Sequence, residues 1–348
     1  MNSVFIDPMV AELVEATSKL SNCNSLLNRG GRQGGVLRHP CSIFLILFSF
    51  SLPLGSLFAG SGETGFAFLK IGIGGRAAGM GEAGTATASD ATAVFWNPAG
   101  LVLSQNHGVI FTYNRWIEGI QHNFAAAKFT KGSHALAIHY ISTGVDDIEQ
   151  RDIPSEKPTA YFSSHDLALG LSYALKLNSQ WAVGATGKYV YERIQNSVSA
   201  VTFDLGAWYS MDYIKDRPDL TDRWRVGMVL SNVGFSGKFI DKKVDLPSAI
   251  RIGSMYDIIR NHSSGSSWSV AVDVVKPFAD HTRLHSGTEY GYKEMMFVRA
   301  GYQFGYDARG ITVGIGMKFR KISLDYGYMP FSNSLGATHR ISAAFEFD

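Results

Sequence analysis

The alternation of apolar and polar residues along most of the chain predicts an all-β fold, an antiparallel transmembrane β-barrel of about fourteen strands. Three observations carry that expectation. From His107 onward the chain reads as segments about ten residues long, with apolar side chains at every second position. Their count is about fourteen and even, as in single-chain bacterial barrels. A short apolar run near the N-terminus has the layout of an export signal.

Composition agrees with a membrane barrel and excludes other classes. Of 348 residues only 18% are charged, against about 25% in average proteins, and 37 are glycine. With 45% hydrophobic residues and a net charge of +2 the chain is not disordered. The 32 basic residues are spread against 30 acidic ones, so no basic face for nucleic acid exists. Helical transporters need repeated apolar runs of about 20 residues, and there is one candidate run here.

That run extends from Ser42 to Phe58, after Arg38 and His39, and is broken by Pro53 and Gly55. Small residues Ala59, Gly60 and Ser61 follow, which makes residues 37–59 a signal peptide cleaved near Ala59. Residues 1–36 precede it and read as a spurious upstream extension from a misassigned start. Both cysteines, Cys23 and Cys41, lie before the cleavage site, so the mature chain has no disulfide and no cysteine ligand for zinc. The rest divides into an N-terminal segment, 60–104, and the barrel, 105–348.

The N-terminal segment is rich in glycine and alanine from Phe66 through Arg76-Ala-Ala-Gly-Met-Gly81, Ser89-Asp90 and Phe95-Trp96-Asn97-Pro98-Ala99-Gly100-Leu101. Small residues let backbone pass close to a barrel wall, Pro98 fixes a bend, and Gly100 permits a turn that other residues avoid. Its aromatic residues set it apart from a flexible linker. Gly79-Met-Gly81-Glu-Ala-Gly84 has the spacing of a dinucleotide fingerprint but lacks the strand, helix and distant acid that such a site needs.

The strands follow. The clearest has Leu167, Leu169, Leu171, Tyr173 and Leu175 on one face and Asp166, Ala168, Gly170, Ser172 and Ala174 on the other. Short turns are expected at Lys131-Gly132, Lys176 to Ser179, Lys293-Glu294 and Arg320-Lys321, on the periplasmic side with the termini. Longer loops are expected at Thr143 to Ser163 and Val233 to Asp245. Trp181, Trp224 and Trp268 each open a strand on its apolar face, where an aromatic girdle meets the membrane interface. The last strand, with Ile341, Ala343, Phe345 and Phe347 alternating with polar residues, has the pattern of an assembly signal, although Asp348 follows the final aromatic.

The polar faces carry about one ionisable group per strand: Asp204, Arg225, Arg251, Asp273, Glu289, Arg299, Lys318, Asp325 and Arg340. Mixed signs suit pairing inside a lumen rather than a one-sign selectivity ring. No nucleophile elbow occurs, and His134 and His139 are five apart, so they point to opposite strand faces. No enzyme, cofactor or metal site is expected.

The opening around Leu69-Lys70-Ile-Gly72, the Arg76-Ala-Ala-Gly-Met-Gly81 core and the Asn97-Pro-Ala-Gly-Leu101 ending closely resemble the N-terminal signature of the PorV/PorQ family of outer-membrane proteins. That family is similar to barrels of the FadL type. The resemblance implies a fourteen-stranded barrel whose N-terminal segment folds into the lumen as a hatch, with Arg76 and Asp90 buried and partnered by wall charges. It also implies a bacterial outer-membrane location among lipid and a role as an accessory or shuttle in type IX secretion. Such a protein passes the C-terminal signal of secreted cargo to a surface-attachment complex. The partner-facing parts would be the two long loops, which carry Asp146, Asp147, Glu149, Arg151, Asp152, Lys238 and Lys242. The alternative is a transporter of hydrophobic small molecules, which needs an apolar inner pocket from residues such as Phe66, Phe68, Phe95 and Trp96.

Overall fold

A computed structural model describes residues 64–150, 158–193, 196–211, 223–239, 242–261 and 265–347. The expected upstream extension and signal peptide, 1–59, lie outside the described residues, as do Arg151, Asp152 and the side chains of Asp147, Glu149 and Lys242.

Fourteen antiparallel strands close into one barrel among the described residues. They are β1 (His107–Arg115), β2 (Gln121–Lys131), β3 (His134–Gln150), β4 (Ala160–Lys176), β5 (Trp181–Arg193), β6 (Ser197–Ser210) and β7 (Trp224–Ser236). The second half comprises β8 (Ala249–Asn261), β9 (Ser266–Pro277), β10 (Arg283–Tyr292), β11 (Met296–Phe304), β12 (Ile311–Phe319), β13 (Ile322–Pro330) and β14 (Ala337–Phe347). Each strand pairs with its chain neighbour, and β14 closes on β1 with His107 opposite Phe347. Closure leaves no free sheet edge across the bilayer, where unpaired backbone groups would be costly.

The apolar faces point outward. Leu169, Leu171 and Tyr173 of β4, Val201, Phe203 and Leu205 of β6, and Ile311, Val313 and Ile315 of β12 are all exposed, while the alternate residues are buried or half-buried. An arrangement that a soluble protein could not tolerate is what lipid requires of a wall. The turns at 132–133 and 320–321 are tight and lie on the side of the termini. At the first, Gly132 takes the left-handed conformation with φ 59°.

Two expected loops are shorter than their sequence suggests. β3 runs to Gln150 and β4 begins at Ala160, so most of Thr143 to Ser163 is a tall hairpin, paired beyond a bulge between Val145 and Ile148. Charged residues there read as loop because strands standing clear of lipid need no apolar face. β7 likewise continues to Ser236, past a bulge opposite Asp204 where Asn232 adopts φ 56°.

Residues 64–106 precede the wall and contain short helices: a 3₁₀ turn at Ala67–Lys70, α1 (Gly75–Gly79), α2 (Ala93–Trp96) and a second 3₁₀ turn at Pro98–Val102. The apolar side of this segment, with Phe66, Phe68, Ile73, Val94, Trp96 and Leu101, packs against inward residues of β1 to β6 such as Ile110, Phe124, Ile141 and Val190. Inward alanines Ala135, Ala137, Ala168, Ala174, Ala182 and Ala200 make the room on that half of the wall.

Candidate functional site

The hatch sits in the lumen because backbone can touch backbone there. Inward positions on the wall form cross-strand glycine pairs: Gly184 with Gly206, Gly227 with Gly253, Gly287 with Gly301, and Gly314 with Gly327. A side chain at Gly206 would meet Asn97 and the Pro98 ring, and one at Gly301 would meet the backbone of Met80 and Gly81. The hatch glycines answer in kind, with Gly79 against Gly314 and Gly75 against the Asp325 backbone. Sequence reasoning read the hatch glycines and missed those of the wall; glycine at polar-face positions in eight strands was the signal.

Polar contacts then fix the register between hatch and wall. Arg76 makes a two-pronged ion pair with Glu289, both contacts at 2.9 Å, and Arg299 holds the same carboxylate at 2.5 Å and Asp325 at 2.7 Å. Thr85 donates its backbone N–H (2.9 Å) and its hydroxyl (2.5 Å) to Asp273, whose other contact is Arg251 at 3.4 Å. Glu82 pairs with Arg340 at 3.0 Å, both buried. Burial by itself pushes the Glu82 carboxyl up, but Arg340, Arg309 and His285 outweigh it and hold the group at about 2. Lys188 binds Asp204 at 2.7 Å and Asn232 at 2.5 Å, and Lys128 donates to the carbonyls of Ser89 and Ser104. Arg225 pairs with Asp257, and Lys318 with Glu346 at 3.0 Å.

Asn97 ties the hatch together. Its amide donates to Thr85 and to Ala207 of β6, both at 3.0 Å, while its oxygen accepts from Ala99 and starts the 3₁₀ turn in which Pro98 takes the first position. Trp96 donates to the Ile73 carbonyl at 3.2 Å, and the Phe95 ring meets it edge-on.

Three expectations need correction. Asp90 makes no ion pair with a wall cation among the described residues; it caps the local turn, accepting from the backbone N–H (2.9 Å) and hydroxyl of Thr92. Arg76 is half-buried, facing a basin of about 220 Å³ at the termini end of the lumen. Gly100 does not take a left-handed turn; it is needed because a side chain would strike the Ala88 carbonyl. Glu82 and Lys128 were missed as lumen charges, Glu82 because it lies among glycines and Lys128 because its strand face is otherwise neutral, and Lys188, on a polar face with Thr186 and Glu192, was not singled out.

The three tryptophans lie on the outward face. The Trp181 ring packs at a tilt against Tyr209 with centroids 4.7 Å apart, Trp224 donates to Ser254 and Trp268 to Thr288, each at 2.8 Å. Amphipathic rings with one satisfied polar atom suit the bilayer boundary.

Residues 61–278 match the family profile described as type IX secretion system protein PorV. No curated protein sequence matches the chain. Among solved structures the chain resembles the Ralstonia pickettii toluene transporter TbuX, at 12% identity and a TM-score of 0.51, covering 79% of this chain and 97% of that one. It also resembles the Pseudomonas putida toluene transporter TodX, at 13% identity and a TM-score of 0.53, covering 79% of this chain and 98% of that one. At such identity the likeness shows the fold alone.

Proposed function

Because the chain belongs to the PorV family of type IX secretion system proteins, we propose that this bacterial outer-membrane barrel works by binding, as a shuttle that holds secreted cargo at its outward end and passes it to a surface-attachment complex. The family match, which spans the hatch and the first nine strands, carries the reading. The filled lumen supports it. Phe66 and Phe68 are packed into the core, and the basin at the termini end carries the charged Arg76, Lys128, Glu289, Arg299 and Lys318 beside apolar Ile110, Phe297 and Met317.

The test compares proteins displayed at the surface of cells with and without the gene, alongside uptake of labelled toluene. Loss of several surface proteins with uptake unchanged is the expected result. Intact display with impaired uptake would overturn the proposal in favour of hydrophobic transport.

A further inference from the structure

At the outward end of the lumen, opposite the termini, the hatch and the loops above it enclose a second cavity of about 90 Å³. Its floor is apolar, made by Leu69, Phe95 and Trp96, and its rim is basic. Most of the charges around it neutralise one another: Lys188 with Asp204, Arg283 with Asp280, Arg251 with Asp273, and Glu82 with Arg340. Two cations remain. Lys70 and Arg309 line the cavity, and neither is within ion-pair distance of a carboxylate among the described residues.

Arg309 is held in place without being satisfied. Its guanidinium lies 3.9 Å from the Tyr306 ring centre, with Arg283 4.3 Å from the same ring and Trp116 5.7 Å from Arg309. The Tyr306 hydroxyl is engaged by His285 at 3.0 Å. One terminal nitrogen of Arg309, Nη1, is buried with no hydrogen-bond partner. A buried donor without an acceptor is costly, and an oxyanion is the group that removes the cost.

We propose that this cavity is an anion site that takes a carboxylate, an acidic side chain or a chain terminus, presented from outside by a protein segment; the choice of a protein rests on the secretion reading above. Size supports a small head group. At about 90 Å³ it is smaller than a cavity of about 150 Å³ that takes benzene. Position supports a peptide over a lipid. Lipid headgroups pack around the outer wall, whereas the cavity is enclosed by inward residues, the hatch and the loops carrying Asp280, Tyr306 and Arg309.

The test uses the full barrel in detergent and a fluorescent peptide of alternating glycine and glutamate, with a glutamine counterpart, read by anisotropy at low salt. The glutamate peptide should bind at least about tenfold more tightly than the glutamine one. Lys70→Gln together with Arg309→Gln should remove that preference, and Arg309→Lys, which keeps the charge and the fold, should retain most of it. Equal binding of both peptides, or full preference in the double variant, overturns the site. Binding of inorganic phosphate or of vesicles containing lipid A, with the peptide unbound, gives the cavity to phosphate and also overturns it. Failure of the parent reading looks different: a deletion strain then keeps its surface proteins, whatever the peptide does.

Discussion

The residues most able to report on the hatch are Glu82 and Arg340, one on the hatch and one on β14, buried together. Removing one partner of such a pair strands the other charge, which costs about 3 kcal/mol or more. Glu82→Gln should therefore lower the unfolding free energy of the folded barrel in detergent by that order, read from urea denaturation. The pH dependence follows from the same pair. The Glu82 carboxyl is depressed from 4.5 to about 2, so its contribution is complete above about pH 4.5 and is lost as the pH falls toward 2. Wild type should lose stability relative to Glu82→Gln across that window, measured as the difference between the two denaturation curves. An unchanged difference from pH 5 to pH 2 would show that Glu82 does not carry the charge assigned to it.

At the scale of elements, the glycine pairs make a band of bare backbone around half the barrel, against which the hatch lies. Gly301→Val on β11 forces its side chain into Met80 and Gly81, an overpacking worth about 1–3 kcal/mol. Trypsin should then cut after Arg76 in the folded barrel, where wild type resists, while unheated gel mobility shows the wall still closed. The strands themselves were legible in the sequence because period two is local and lipid imposes it on one face of every strand. Pairing of lumen charges was legible too, since Asp273, Glu289, Arg299 and Arg340 could only be tolerated inside. What was not legible depended on contacts between distant segments. Asp90 looked like an ion-pair partner until Thr92 was seen to satisfy it, and Gly206 had no evident meaning until Asn97 and Pro98 lay upon it. The tall hairpin of β3 and β4 was hidden because strands above the membrane lose the alternation that betrays them.

For the whole molecule, packing of the hatch against both halves of the wall implies a plugged barrel. Reconstituted in a planar bilayer it should show no stepwise current, and deletion of residues 64–104 should produce open-channel steps. Steady conductance by the intact chain would mean that the hatch leaves a continuous water path. Strand length adds a different property. β3 and β4 have 17 residues each, whereas β11, β12 and β13 have nine. At about 3.3 Å per residue and a tilt of about 40° the difference raises one side of the rim by about 20 Å. The mouth cluster of Trp116, Tyr306, Arg309 and Phe331 belongs to loops of the low side. The barrel therefore has a front and a back in the plane of the membrane: a visitor from one direction meets a parapet of paired strands, and from the other an open doorstep. Under the shuttle role proposed above, the neighbour that hands over cargo and the one that takes it would approach from different bearings.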